Sequence, residues 1–320
     1  MEKTVSFLEP ISLAFERTKQ FLFKPFDAAR WFTVGFCAWL ASLGQNGFSF
    51  NTNFNFNDEK KISPVVVGFI KEHLPFIIIV SVFGLLLVIA LGFVFEWLIA
   101  RGRFMFLSNV VTGRAAVSEP WKKYRREGNS LFVWTIVFDT LTLLVLLVAL
   151  AIPLAFAIPA IMAGTCSLGV FSGLLIAIPL ILLILVVAGY VHLYLLDFIV
   201  PLMCRNGVKA TVAWRQFGPL FRARPGRFVA YGLFRMLMYA VYGMTILTLG
   251  LMTCCCGFIV LMIPYINAVV TLPIAVFDRF YSLEFLRQFG PEFDLLTNEP
   301  PSLAEPIIAE GPVSVEPEEG

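Results

Sequence analysis

Long apolar runs dominate the chain. Five of them, at residues 74–100, 131–155, 170–196, 228–251 and 257–277, reach the roughly 20 helical residues that a bilayer core requires. A sixth, at 26–44, is weaker because Asp27 and Arg30 stand at its start. Its body, Trp31 to Leu40, is still apolar, and its tryptophans suit a membrane interface. The pattern predicts an all-α polytopic membrane protein. Six transmembrane helices would pair into three hairpins, with short amphipathic helices at the cytoplasmic surface.

The polar residues between these runs repeat a theme. Gly113-Arg114-Ala115-Ala116-Val117-Ser118-Glu119-Pro120-Trp121-Lys122-Lys123-Tyr124 resembles Gly207-Val208-Lys209-Ala210-Thr211-Val212-Ala213-Trp214-Arg215-Gln216-Phe217. Each leads into a new apolar run. Ile11 to Phe21 is a plausible third copy, and Tyr281 to Phe289 a shortened fourth. Trp121, Lys122, Lys123, Arg125, Arg126, Trp214 and Arg215 are the candidate contacts to lipid headgroups, because aromatics mixed with Lys and Arg suit an anionic inner leaflet. Plain topology anchoring explains the same residues more simply, and specific lipid recognition is the sharper alternative.

Three stretches break the helical pattern. Phe48 to Asp58 alternates apolar and polar residues with period two, which reads as an outer loop or a short hairpin. Between Ile152 and Gly169 the chain stays apolar but carries Pro153, Pro159 and Gly164, predicting a kinked helix or a partly re-entrant segment. Residues 291–320 hold eight acidic residues, six prolines and no Lys or Arg, and are expected to form a disordered cytoplasmic tail beyond a membrane domain at 1–290.

Composition supports the membrane assignment. Apolar residues make up 58% and charged residues 14% of the 320, with a mean hydropathy of +0.83; soluble proteins are about 45–50% apolar and about 25% charged. The net charge of +2 hides a strong segregation. With the N-terminus inside, the cytoplasmic segments hold five, seven, six and two basic residues, twenty of the twenty-four. The outer loops hold Lys60, Lys61 and Lys71, and Arg235 lies within a helix. Short-loop Lys/Arg bias sets orientation, which places both termini in the cytoplasm of a cell held by its inner membrane.

Ionisable residues inside a bilayer are costly and are usually paired or functional. Each expected inward-running helix ends on an acid, Glu96, Asp197 or Asp278, and two outward-running helices carry Asp139 and Arg235. These five form a candidate charge cluster with Arg235 as the shared cation. A static clamp between hairpins, an ion-coupled site and independent snorkelling all fit that spacing. His192 lies close enough along its helix to join Asp197. Six cysteines, Cys37, Cys166, Cys204 and Cys254 to Cys256, lack zinc-site spacing; those at the outer turns read as small packing residues or, in an oxidising compartment, as a disulfide.

No phosphate-binding loop, nucleophile elbow, zinc-protease or dinucleotide signature occurs. Neither a cofactor nor a nucleic-acid partner is expected, since the basic loops face a membrane. Membrane lipids, anionic ones included, are the expected partners.

The segments Ala100-Arg101-Gly102-Arg103-Phe104-Met105-Phe106, Pro120-Trp121-Lys122-Lys123-Tyr124, Gly128-Asn129-Ser130-Leu131-Phe132 and Tyr281 to Glu292 resemble a family of uncharacterised bacterial polytopic membrane proteins. More distantly, the hairpin-plus-inner-helix repeat looks like the membrane domain fused to some bacterial glycerophosphodiester phosphodiesterases. That resemblance implies architecture alone, because the catalytic residues of those enzymes lie in a soluble domain this chain lacks. The expected role is a non-enzymatic scaffold, lipid-interacting protein or assembly factor; the alternative is a transporter for a small molecule or lipid.

Overall fold

A computed structural model describes residues 6–43, 69, 72–162, 168–253, 257 and 261–296, and those residues form helices and turns without a strand. In chain order the helices are α1 (Glu9–Phe23), α2 (Ala28–Ser42), α3 (Leu74–Thr112), α4 (Ser118–Lys123), α5 (Arg125–Met162) and α6 (Leu168–Tyr194). A π-turn, Leu195–Ile199, joins α6 to α7 (Val200–Asn206). Then come α8 (Ala210–Ala223), α9 (Pro225–Met252), α10 (Pro264–Val270), α11 (Leu272–Arg287) and a 3-10 turn at Pro291–Phe293. The Phe/Asn-rich stretch 48–58, Cys166, Cys254 to Cys256 and the chain after Leu296 lie outside the described residues.

Four helical stretches have the length and apolarity to cross a bilayer: Leu74–Thr112, Arg125–Ala155, Leu175–Asn206 and Pro225–Met252. These correspond to four of the six expected spans. The weak first one is realised as α2, whose 15 residues extend about 22 Å, short of a core about 30 Å thick. Asp27 fixes its start by accepting the Ala29 N–H at 2.9 Å. The expected span 257–277 is divided between α10 and α11, with the break at Thr271. By contrast, α5 continues as one helix past Pro153 and Pro159 to Met162.

The break at Thr271 follows from Pro273. Proline has no N–H to give the carbonyl four residues back, and its ring crowds that carbonyl. The carbonyl so vacated is that of Val269, and the indole N–H of Trp31 donates to it at 3.0 Å. The π-turn has a related cause. The Val200 N–H reaches back five residues to Leu195, and Pro201, which would be the next donor, has none. Leu196 is thus left with a free carbonyl, and Arg279 Nη1 donates to it at 2.7 Å. In both places a side chain from another helix completes what proline left open.

Among the described residues packing is concentrated at one end; away from it Ala149 of α5, Ala177 of α6 and Gly250 of α9 are also buried. Residues 99–110 of α3 are all buried, together with most of the π-turn and of α7, one face of α8, one face of the first turns of α9, and most of α11. Glycine allows the tightest approach: a Cβ on Gly102 would lie 2.7 Å from the Ala41 nitrogen and the Leu40 carbonyl carbon, so α2 crosses α3 in direct backbone contact. Phe198, Phe217, Phe228, Tyr231 and Phe285 interlock at the centre, with Tyr231 and Phe285 centroids 4.4 Å apart and Phe217 and Phe228 5.1 Å apart. Arg17 of α1 meets the buried Glu284 of α11 at 2.6 Å, and Ser6 exchanges two hydrogen bonds with Gln288. The chain stays docked past residue 290: Leu295 and Leu296 are buried, and Arg287 meets Asp294 at 3.1 Å. The packed part therefore extends six residues into the segment expected to be tail.

The two look-alike loops begin alike. Gly113 (φ 68°) closes α3 and Gly207 (φ 60°) closes α7, both left-handed, a conformation glycine adopts without steric cost. A short helix, α4 or α8, follows each.

Candidate functional site

Arg235 lies on the third turn of α9 and is 2% exposed. Its Nη1 meets Asp278 Oδ1 of α11 at 2.5 Å, and its Nε lies 3.3 Å from Asp197 Oδ2 in the π-turn. Nη2 donates to the Tyr239 hydroxyl at 2.9 Å. The carboxylates have further donors: Tyr231 to Asp197 at 2.8 Å and Tyr242 to Asp278 at 2.9 Å. Arg279 lies 3.9 Å from Asp197 while bonding Leu196. One cation thus holds two carboxylates from separate elements, inside a ring of tyrosine hydroxyls. Such a buried pair is strong only when its remaining polar atoms are satisfied; Arg235 Nη1 and Nη2 are hydrogen-bonded here, while its buried Nε approaches Asp197 without a hydrogen bond.

The π-turn makes this geometry possible, since the extra residue in its ring turns Asp197 toward α9. The tyrosines were legible and overlooked. Tyr231, Arg235 and Tyr239 recur every four residues and share one face of α9 with Tyr242.

The other two members of the expected cluster stand apart from Arg235. Asp139 of α5 bonds His192 Nε2 of α6 at 2.9 Å, with side chains 47% and 37% exposed. His192 therefore joins Asp139 and not Asp197, its neighbour along the chain. Glu96 of α3 lies in the field of Asp139, His192 and Arg103. Arg103 is 8% exposed, and its Nε and Nη1 have no hydrogen-bond partner among the described residues. One expected cluster is thus two: a closed knot around Arg235 and a looser group of Glu96, Arg103, Asp139 and His192.

The candidate headgroup residues divide between core and surface. Trp121 stands edge-on to Trp97, centroids 5.6 Å apart, and Trp214 stacks on Trp134 at 5.4 Å. Both indoles are half-buried packing elements, whereas Lys122, Lys123, Arg125, Arg126 and Arg215 are exposed. Arg101 is 7% exposed and wedged between the Trp97 and Trp121 rings, 4.3 and 4.8 Å from their centroids. No group of three or more metal-ligating side chains gathers among the described residues.

Helices of this length and apolarity, joined at a basic end, define a polytopic α-helical membrane protein. Within that class the chain belongs to DUF7544, a family of unknown function, which it matches over residues 5–265. No curated protein and no solved structure matches it, and no link to the membrane domain of glycerophosphodiester phosphodiesterases emerges.

Proposed function

We propose that the protein is a non-enzymatic scaffold of the bacterial inner membrane, interacting with lipid or serving membrane assembly, with its packed basic end and both termini in the cytoplasm. The Arg235 knot is the observation that carries this reading. A transport site needs charges that substrate or water can reach, whereas Arg235 and Asp197 are 2% and 3% exposed and already paired. In this reading Arg235 is a clamp. In this reading the long helices run out from the packed end and return to it: Ser6 and Gln288 meet there, while Leu74 and Met252 terminate α3 and α9 far from it.

Extraction of the full chain with native lipid, followed by mass spectrometry of what co-purifies, tests the reading. Retained lipid or a stoichiometric protein partner is the expected result. Uptake of a solute by proteoliposomes, lost on mutation of the charges, would overturn it.

Transport remains the second reading because of this looser charged group. Asp139 and His192 are accessible, and Arg103 beneath them has donors to spare. Asp139→Asn abolishing such uptake while thermal stability is unchanged would favour it.

A further inference from the structure

We infer that the groove between α2, α3 and α4 binds one anionic phospholipid, an acyl chain lying in the groove and its phosphate against Lys122, Arg125 and Arg101; the inference deepens the lipid-interacting reading and rests on it. The groove has a volume of about 590 Å³, and its walls include Phe36, Trp39, Phe95, Leu98, Ser118 and Trp121. That is ample for a small hydrophobic ligand. The surface it adjoins is the exposed apolar face of α3, where Val88, Leu91 and Phe95 are uncovered, so in a bilayer its neighbours are lipid chains.

Charge selects the headgroup. Ser118 and Trp121 line the groove, and Lys122, one helical turn after Ser118, shares its face of α4. Among the described residues Lys122, Arg125 and Arg101 have no salt bridge. The charge acting on buried Arg101 is that of Arg125, another cation; its Nη2 donates to Asn129 Oδ1 at 3.0 Å, while its Nε lacks a hydrogen-bond partner. Glu119, the nearest acid on α4, opens instead into a small polar pocket with Arg114 and Lys123. An uncompensated positive cluster at the mouth of an apolar groove, beside half-buried tryptophans, matches an anionic lipid and not a zwitterionic one.

The test uses the full chain in phosphatidylcholine nanodiscs doped with phosphatidylglycerol, with bound lipid counted by native mass spectrometry. Wild-type protein should retain one phosphatidylglycerol in preference to phosphatidylcholine. The doubly substituted Lys122→Gln/Arg125→Gln protein, altered only at exposed positions, should lose that preference by about tenfold while its melting temperature is unchanged. Glycerol phosphate, which lacks chains, should not displace the lipid. Equal retention of both lipids, or a preference that survives the double substitution, would overturn the inference and leave the scaffold reading standing. Displacement by glycerol phosphate would overturn the groove's role in it. Solute uptake would overturn the scaffold and leave the groove.

Discussion

Helix α3 passes through two solvents. From Leu74 to Leu98 no residue is buried, its most apolar 18-residue stretch included. From Ile99 to Val110 every residue is buried, including Arg101, Arg103 and Asn109. The first region is solvated by lipid chains, which are as apolar as leucine and give helices little reason to associate. In the second, aromatic interlocking, backbone contact at Gly102 and hydrogen-bonded charges hold the elements together. Stability therefore resides at the basic end, while apolarity resides at the other.

Substitutions can sharpen or break that contrast. The largest effect is expected from Arg235→Met, which strands Asp197 and Asp278; breaking a buried pair costs about 3–5 kcal/mol. Thermal unfolding in detergent should show a large drop, and Asp197→Asn with Asp278→Asn in the same chain should recover part of it. Next is Gly102→Ala, whose methyl would meet the backbone of Leu40 and Ala41 at 2.7 Å; overpacking of this kind costs about 1–3 kcal/mol. A chain with unchanged melting there would mean that α2 and α3 do not cross at Gly102. Trp31→Phe keeps a ring but withdraws the donor from Val269, worth about 1–3 kcal/mol when the acceptor is left buried. Smallest is Leu87→Ala, where the side chain faces lipid at 52% exposure; the expected change is within about 0.5 kcal/mol. Were Leu87→Ala to destabilise as much as Gly102→Ala, the outer region would be packed against something, and the contrast would fail.

The lipid-facing half was the legible half. Its signal is additive along the chain, so the runs that became α3, α5, α6 and α9 stand out by length alone. The packed half depends on contacts between distant residues. Nothing near Gly102 announces that residue 41 will lie against it, and the apolar run 257–277 conceals the consequence of Pro273. The candidate site was half visible: Arg235, Asp197 and Asp278 converge as their positions toward the basic ends of their helices suggest, while Asp139 pairs with His192. Local spacing gives depth in the membrane, whereas pairing depends on rotation about the helix axis, and the π-turn shifts that rotation between His192 and Asp197.

The carbonyls that proline vacates also impose an order in time. Leu196 accepts from a residue 83 positions later, and Trp31 must wait for a carbonyl 238 positions away. A ribosome delivers the earlier members of these pairs long before the later ones, so the Trp31 donor stays open until α10 arrives and the Leu196 acceptor until α11 arrives. Of these two pairs, the one that α11 completes closes last. Chains terminated before residue 272 would hold the same long apolar helices, and the Val269 acceptor, yet lack Arg279, the donor that completes Leu196.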